Sequence, residues 1–267
     1  MLRWNEKVVL VTGGSAGLGR AIADAFGQQG ARLVLASRKE DLLQQAAASL
    51  RERGVDVLAV AADVTQDGDV ERLIGSAIER FGRLDVLVNA VGRSMRGTIA
   101  FTSTSQFEEL LQVNFLTAVR CARAAVPHLL KSRGHIVNIG SLAAKTASPH
   151  MGAYAASKFP LVAFSQQLRL EFESAGLHTL LVCPGPLKRL DAGSRYDAEA
   201  ADLSESARQP GGGAKLASID PLLLAQRIVR ACERRKPELV VPSRARLLFA
   251  LAQLWPSLGD WLVRRNT

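Results

Sequence analysis

The stretch Thr12-Gly13-Gly14-Ser15-Ala16-Gly17-Leu18-Gly19 joins an apolar run to a helical pattern, and it decides the fold. Glycines let such a turn be tight and let its backbone approach a pyrophosphate closely. The start of the following helix offers free N–H groups and a partial positive charge, which together favour phosphate. A ligand-free tight turn is the alternative, but the position between strand and helix favours a dinucleotide-binding turn. Its predicted cofactor contacts are Gly13, Ser15, Gly17, Leu18 and Gly19.

Short apolar runs alternate with helical patterns on either side of this turn. The runs are rich in Val, Ile and Leu and do not alternate with polar residues, which is typical of strands buried on both faces of a parallel sheet. The alternation predicts a Rossmann-type, doubly wound α/β sheet in a single domain, residues 1–242. The predicted strands are Lys7–Thr12, Arg32–Ala36, Val55–Ala61, Asp85–Asn89, His135–Gly140, Thr179–Cys183 and Glu238–Val241. The predicted helices are Leu18–Gln29, Glu40–Arg53, Asp67–Phe81, Ser105–Lys131, Ala153–Ala175 and Pro221–Arg235.

Composition limits the class of protein. Of the 267 residues, 48% are hydrophobic and 22% are charged, which is ordinary for a globular chain and excludes a disordered or fibrous one. The three cysteines, Cys121, Cys183 and Cys232, are too few and too scattered for a disulfide framework or a zinc site, so no metal is expected. No apolar run is long enough for a membrane span or a signal peptide. These features predict a reduced, cytoplasmic setting.

The positive charge of the chain is concentrated near its end. The formal net charge is +9, and residues 227–267 hold nine Lys or Arg against three Asp or Glu. Residues 243–267 are predicted to form a basic amphipathic helical tail, with Pro256 starting a second short helix. The apolar stripe of the tail is Leu247, Leu251, Leu254, Trp255, Leu258, Trp261 and Leu262.

Three roles for this tail remain open from the sequence. The stripe could pack over a substrate cleft or against a second subunit, since amphipathic stripes are more often buried than not. It could instead lie on a membrane surface, because a basic helix that carries tryptophan suits that interface. Nucleic-acid binding is disfavoured, since charge without a recognised motif is only an electrostatic footprint.

The second predicted strand ends at a position that selects the cofactor. Sites for NAD usually place an acidic residue about 20 residues after the glycine turn, where it holds the ribose 2′-hydroxyl. Here that place holds Ser37, followed by Arg38. A hydroxyl and a guanidinium would bind a 2′-phosphate, which a carboxylate would repel. The pair therefore predicts NADP(H), unless Arg38 is only a solvated loop charge.

Residues 187–218 interrupt the alternation of strands and helices. The segment includes Pro210-Gly211-Gly212-Gly213 and follows the sixth predicted strand. Long irregular segments inside a domain are usually functional lids or disordered. Because ligands of open α/β sheets bind beyond the carboxyl ends of the strands, we expect a substrate lid.

Tyr154, Lys158 and Ser141 are the candidate catalytic residues. Tyr154 and Lys158 lie four residues apart in a predicted helix, so they share one face. The pKa of a free tyrosine is about 10, and a neighbouring ammonium lowers it, which suits the phenol to proton exchange with a carbonyl or alcohol. Ser141 follows the fifth predicted strand, where its hydroxyl could hold the substrate oxygen. A tyrosine and a lysine at this spacing are, taken alone, also typical of a solvent-exposed pair.

Several motifs in order resemble those of the short-chain dehydrogenase/reductases, over about residues 5–242. The glycine turn is followed by Asp63-Val64 and by Asn89-Ala90-Val91-Gly92, and then by Asn114 in the long helix. Ser141 stands thirteen residues before Tyr154-Ala-Ala-Ser-Lys158, and Pro184-Gly185 follow the sixth strand. No single motif is specific, but the ordered set is.

The resemblance implies a role for each of these residues. It makes Tyr154 the general acid/base and a contact of the cofactor, and it makes Lys158 the ligand of the nicotinamide ribose. It has Ser141 polarise the carbonyl, and it has Asn114 hold a water that continues the proton relay. The further cofactor contacts that it implies are Asp63, Val64, Asn89, Ala90, Pro184, Gly185 and Leu187. It also implies a homodimer or homotetramer.

Two positions depart from the pattern of the family. Arg189 stands where a threonine is common, so it either leaves the carboxamide without a partner or reaches a phosphate or an anionic substrate. Val91 replaces a glycine and either narrows the nicotinamide pocket or is absorbed by packing.

Together these features predict an NADP(H)-dependent oxidoreductase that transfers a hydride to or from an alcohol or carbonyl carbon. We expect reduction of an apolar carbonyl compound, since the tail is rich in leucine and tryptophan. The alternatives are a non-catalytic regulator that binds NADP(H) and a scaffold at a membrane surface. The intact set Ser141, Tyr154 and Lys158 speaks against the non-catalytic regulator, while the membrane-surface alternative stays open.

Overall fold

Seven parallel strands form one sheet at the centre of the protein. The computed structural model describes residues 4–189, 196, 203 and 216–266. The strands are β1 (Val8–Thr12), β2 (Arg32–Ser37), β3 (Val57–Ala61), β4 (Val86–Asn89), β5 (His135–Ile139), β6 (His178–Pro184) and β7 (Glu238–Val241). Their order in the sheet is β3-β2-β1-β4-β5-β6-β7. All seven predicted strands are confirmed, with boundaries that differ by no more than two residues.

Helices cover both faces of this sheet. In the described part of the chain they are α1 (Gly17–Gly27), α2 (Glu40–Arg51), α3 (Asp67–Phe81), α4 (Thr104–Leu111), α5 (Thr117–Ser132), α6 (Tyr154–Lys158), α7 (Pro160–Phe172), α8 (Pro221–Glu233), α9 (Ala245–Leu254) and α10 (Pro256–Asn266). Apolar side chains of α1, α2 and α8 form one core with the sheet, and those of α3, α5 and α7 form the other. The predicted doubly wound sheet is therefore confirmed.

Two predicted helices are each divided in the structure. The helix predicted over Ser105–Lys131 contains a π-helical stretch, Gln112–Leu116, between α4 and α5. The helix predicted over Ala153–Ala175 is divided at Phe159, because Pro160 starts α7 and has no backbone N–H to donate. π-Helical stretches frequently mark functional sites, and this one carries Asn114.

The strand order reverses beside β1, and this places the crevice. After β1 the chain crosses over to β2 on one side of β1, and later it crosses to β4 on the other side. The loops that follow β1 and β4 therefore lead away from each other. Ligands of open α/β sheets bind where such loops part. The glycine turn follows β1, and Ala90 follows β4 directly.

The tail packs on the domain through a face that the sequence pattern did not predict. Ala245 and Phe249 of α9 are buried in an apolar cluster with Leu181 of β6 and Val240 of β7. The predicted stripe lies on the opposite side, and Leu247 is 67% exposed. The stripe is therefore not the face that packs over the cleft. Pro256 does start a second helix, as predicted.

No helix in the described ranges is both long enough and apolar enough to cross a bilayer.

Candidate active site

One cavity of about 1050 Å³ joins the glycine turn to Tyr154 and Lys158 at the carboxyl edge of the sheet. It brings together most of the residues that the sequence selected. Those that line it are Gly13, Ser15, Gly17, Leu18, Gly19, Ser37, Arg38, Asp63, Val64, Ala90, Ser141, Tyr154, Lys158, Pro184, Gly185 and Leu187. Asn89 and Asn114 are not in this lining.

The glycine turn leaves the start of α1 open toward the cavity. A Cβ on Gly19 would lie only 2.3 Å from the carbonyl oxygen of Gly13, so helix and turn are in direct backbone contact. The residue before the helix, Ala16, has no side chain that could accept from its first N–H groups. The first turn of α1 also contains no acidic residue. No side chain of α1 therefore neutralises the partial positive charge at the start of this helix, and that charge remains available to an anion.

The far end of the cavity carries the residues expected to select the cofactor. The hydroxyl of Ser15 donates to the Ser37 hydroxyl over 2.9 Å, which ties the glycine turn to the end of β2. The Arg38 guanidinium lies 3.8 Å from an Asp63 carboxylate oxygen, and 72% of the Arg38 side chain is exposed. A long, exposed ion pair of this kind stabilises the protein little, so a phosphate could replace it at low cost.

Lys158 is held in place by a hydrogen bond to the central sheet. Its side chain is buried, and its Nζ donates to the carbonyl oxygen of Ile139, the last residue of β5, over 3.0 Å. Burial lowers the pKa of Lys158 to about 8, because a charged amine is poorly solvated there. At pH 7 most of the amine is still protonated, so the cavity wall carries a positive charge at Lys158.

Tyr154 and Ser141 line the same cavity as Lys158. Tyr154 is the first residue of α6, one helical turn before Lys158, and it is half-buried. Ser141 follows β5, and its Oγ accepts from the backbone N–H of Ala143 over 3.1 Å. This bond uses an acceptor site of the hydroxyl, so its proton can be donated to a substrate oxygen.

Asn114 is a buried structural link in the π-helical stretch. Its Oδ1 accepts from the backbone N–H of Arg93, and its Nδ2 donates to the carbonyl oxygen of Arg93, each over 2.8 Å. Nδ2 also donates to the Ser157 hydroxyl over 2.8 Å. Both amide protons are thus used, and a water could contact the side chain only at the second acceptor site of Oδ1. The proton-relay role stays a prediction.

Asn89 lies behind the cavity wall. Its amide donates to Asn138 on β5 over 2.9 Å, while its buried Oδ1 has no hydrogen-bond partner among the residues that the structure describes. The neighbouring N–H of Ala90 donates to the Thr12 hydroxyl over 3.2 Å, which links the ends of β1 and β4. The expected cofactor contact of Asn89 stays a prediction.

Sequence reasoning missed three residues near the site. A Cβ on Gly92 would lie 3.0 Å from Oδ1 of Asn114 and 3.1 Å from Nζ of Lys158, so a side chain at position 92 would crowd both groups. Ser157 supports Asn114, and its place between Tyr154 and Lys158 was a signal. Arg96 is buried in the cavity wall with its guanidinium 3.8 Å from the centre of the Tyr196 ring, which no motif suggested.

The two departures from the family pattern both line the cavity. Arg189 belongs to its wall, close to Pro184 and Gly185 in the chain. Val91 also contacts the apolar core formed with α3 and α5, so part of its side chain is buried in that core and does not face the cavity. Most of the expected lid, residues 187–218, lies outside the described residues.

Comparison with known proteins agrees with this architecture. The short chain dehydrogenase family profile matches residues 7–199. The chain is 31% identical to dehydrogenase/reductase SDR family member 7B of Danio rerio, covering 95% of this chain and 83% of that one. It is 33% identical to 11-beta-hydroxysteroid dehydrogenase A of Sesamum indicum, covering 97% of this chain and 74% of that one.

Solved structures agree as well. L-sorbose reductase of Gluconobacter frateurii, complexed with NADPH and L-sorbose, superimposes with a TM-score of 0.79 at 28% identity, over 90% of this chain and 96% of that one. A short chain dehydrogenase/reductase of Burkholderia phymatum in complex with NAD gives a TM-score of 0.81 at 25% identity, over 95% and 96% of the two chains. The protein is therefore an oxidoreductase of the short-chain dehydrogenase/reductase family, which uses a nicotinamide cofactor.

Proposed function

We propose that this oxidoreductase uses NADP(H) and reduces the carbonyl group of an apolar substrate. The observation that carries the proposal is the continuous cavity that extends from the open N-terminus of α1 to Ser141, Tyr154 and Lys158. When bound, the nicotinamide cofactor supplies the hydride, and the protein supplies orientation and a proton.

Three side chains share the work at the substrate oxygen. The Tyr154 phenol donates its proton to the oxygen as the carbonyl is reduced, and it takes the proton back in the reverse direction. Ser141 donates a hydrogen bond to the same oxygen and so stabilises the charge that develops there. The charge of Lys158 favours the phenolate that is left behind.

The preference for NADP(H) rests on Ser37 and Arg38. The solved relatives include one complex with NAD and one with NADPH, so family membership alone leaves the choice open. At this end of the cavity Arg38 is opposed by one carboxylate, Asp63, at a long distance of 3.8 Å. A 2′-phosphate would offer that guanidinium a stronger, charge-assisted partner.

Arg38→Ala is expected to weaken NADPH binding about tenfold more than NADH binding, because only NADPH loses a charge-assisted hydrogen bond. Both dissociation constants can be measured by titrating the fluorescence of the reduced nucleotide. The matched control is Arg80→Ala, which removes an arginine that is 54% exposed and pairs with Asp56. Arg80 is not in the cavity lining. Equal weakening of the two nucleotides in Arg38→Ala would contradict the proposed contact.

The preference for an apolar substrate is supported by apolar side chains in the cavity lining. They include Leu142, Leu216, Leu248, Phe249 and Val263. Oxidation of NADPH over a panel of aldehydes and ketones tests the proposal. We expect kcat/KM to rise with alkyl chain length, by up to about threefold to fourfold for each buried methylene. Turnover confined to small hydrophilic carbonyls would overturn the substrate class, and no turnover with any carbonyl would overturn the reaction.

A further inference from the structure

We propose that α9 and α10 dock the protein on the surface of an anionic lipid bilayer. The docking face consists of Leu247, Leu251, Leu254, Trp255, Leu258, Trp261 and Leu262, and we call it the tail face. The proposal is independent of the cofactor and of the reaction.

Five of the seven residues of the tail face are exposed to solvent, while Leu251 and Leu262 are partly buried. Spacings of four and three residues place Leu247, Leu251 and Leu254 on one side of α9, away from the buried Phe249. The exposed fractions are 67% for Leu247, 68% for Leu254, 59% for Trp255, 40% for Leu258 and 49% for Trp261. Monomeric proteins seldom expose so much contiguous apolar surface unless it binds something.

The two helices form a firm platform for this face. Gly259 of α10 packs directly on α9, since a Cβ on Gly259 would lie 2.6 Å from Cα and Cβ of Ala252. The inner side of the pair is anchored, because Phe249 is buried with residues of β6 and β7. Phe249 and Val263 also line the cavity, so the tail face lies on the outer side of its wall.

The positive charge beside the tail face favours an anionic partner. Arg264 and Arg265, near the end of α10, are exposed, and the only acid in residues 243–266 is Asp260. The other two arginines of this range are engaged elsewhere, since Arg246 pairs with Glu238 and Arg244 lines the cavity. The guanidinium of Arg265 lies 5.2 Å from the centre of the Trp261 ring, so cation and tryptophan are side by side, as at lipid headgroups.

A bilayer suits this charge better than a second copy of the chain does. A two-fold contact through the tail face would gather Arg264 and Arg265 of both copies at one interface that holds few acidic residues of the tail, which is unfavourable. A nucleic acid would satisfy the arginines but would leave the leucines and tryptophans in water. An anionic bilayer accepts both, with headgroups for the arginines and acyl chains for the apolar side chains.

The intrinsic tryptophan fluorescence of the full chain provides a direct test. Two of the three tryptophans, Trp255 and Trp261, belong to the tail face, while Trp4 is only 5% exposed. Vesicles of phosphatidylcholine with phosphatidylglycerol are compared with vesicles of phosphatidylcholine alone. We expect a blue shift of the emission and co-flotation with the anionic vesicles, both weakened by added salt.

Two variants separate the apolar and the charged contributions. Trp255→Ser with Trp261→Ser is expected to lower the vesicle partition coefficient at least about tenfold. Arg264→Gln with Arg265→Gln is expected to lower it about fivefold for each arginine on anionic vesicles and to have little effect on neutral ones. The matched control is Leu170→Ser, an apolar residue on α7 that is 79% exposed and outside the tail face.

Each variant must keep the melting temperature and the nucleotide affinity of the parent, which shows that the cofactor site is intact. Equal flotation of parent and tail variants would overturn the proposal, and so would a loss of flotation in Leu170→Ser. A tail variant that changes only the sedimentation coefficient would identify the tail face as a subunit contact. Retention by RNA but not by vesicles would assign it to nucleic acid.

Discussion

Tyr154→Phe is expected to lower kcat/KM for carbonyl reduction at least about a hundredfold, because it removes the proton donor and keeps the ring. The phenol stands one helical turn from a buried, mostly protonated Lys158, and no other described tyrosine shares that arrangement. The rate is measured as oxidation of NADPH with the best substrate of the panel. NADPH affinity is expected to stay within about threefold of the parent, since the ring and Lys158 are unchanged.

Tyr196→Phe is the matched control for this result. Tyr196 also lines the cavity, and its hydroxyl bonds with Ser94 while its ring faces the Arg96 guanidinium. The substitution keeps the ring and removes one hydrogen bond, so a loss below about tenfold is expected. Parental activity in Tyr154→Phe would disprove the acid role. A loss of NADPH affinity equal to the loss of rate would mean that the phenol binds the cofactor and does not transfer the proton.

Gly19→Ala is expected to weaken binding of both NADPH and NADH at least about tenfold and to lower the free energy of unfolding by about 1–3 kcal/mol. The added Cβ would stand 2.3 Å from the carbonyl oxygen of Gly13. Backbone atoms cannot rotate out of the way as a side chain can, so α1 and the turn must separate. The N–H groups at the start of α1 then no longer converge on a phosphate. Titration of reduced-nucleotide fluorescence and urea denaturation measure the two effects.

Gly75→Ala gives the matched control. Gly75 lies in the interior of α3, and a Cβ there meets nothing within 4 Å. This alanine is expected to stabilise the protein by about 0.5–1 kcal/mol and to leave nucleotide affinity unchanged. If Gly19→Ala bound both nucleotides as the parent does, the close contact between Gly19 and Gly13 would have no part in the cofactor site.

Local patterns were enough to predict the sheet and most of the cavity. Each strand of this sheet is covered on both faces, so its residues form a continuous apolar run that is visible in the sequence. Residues at the carboxyl ends of parallel strands meet at one edge, so the order of Gly13, Ala90, Ser141 and Gly185 along the chain implied that they converge.

Contacts between distant parts of the chain could not be read in the same way. The link from Asn114 to Ser157 spans 43 residues, and the close fit of Gly92 beside Lys158 depends on how β4 and α6 meet. The same limit applies to Arg96, whose guanidinium contacts the ring of Tyr196, one hundred residues later in the chain.

The C-terminal tail shows most clearly which features could not be predicted from local sequence patterns. Helical periodicity correctly indicated an amphipathic pair of helices with a break at Pro256, because spacing along a helix is a local property. Periodicity could not tell which face of α9 would be buried, since Ala245, Leu248, Phe249 and Ala252 form a second apolar face at helical spacing. In the folded protein Phe249 packs against residues of β6 and β7, whereas Leu247 is exposed to solvent. The face of α9 that is buried is determined by the surface on which the helix packs, and that surface forms only when the sheet has assembled.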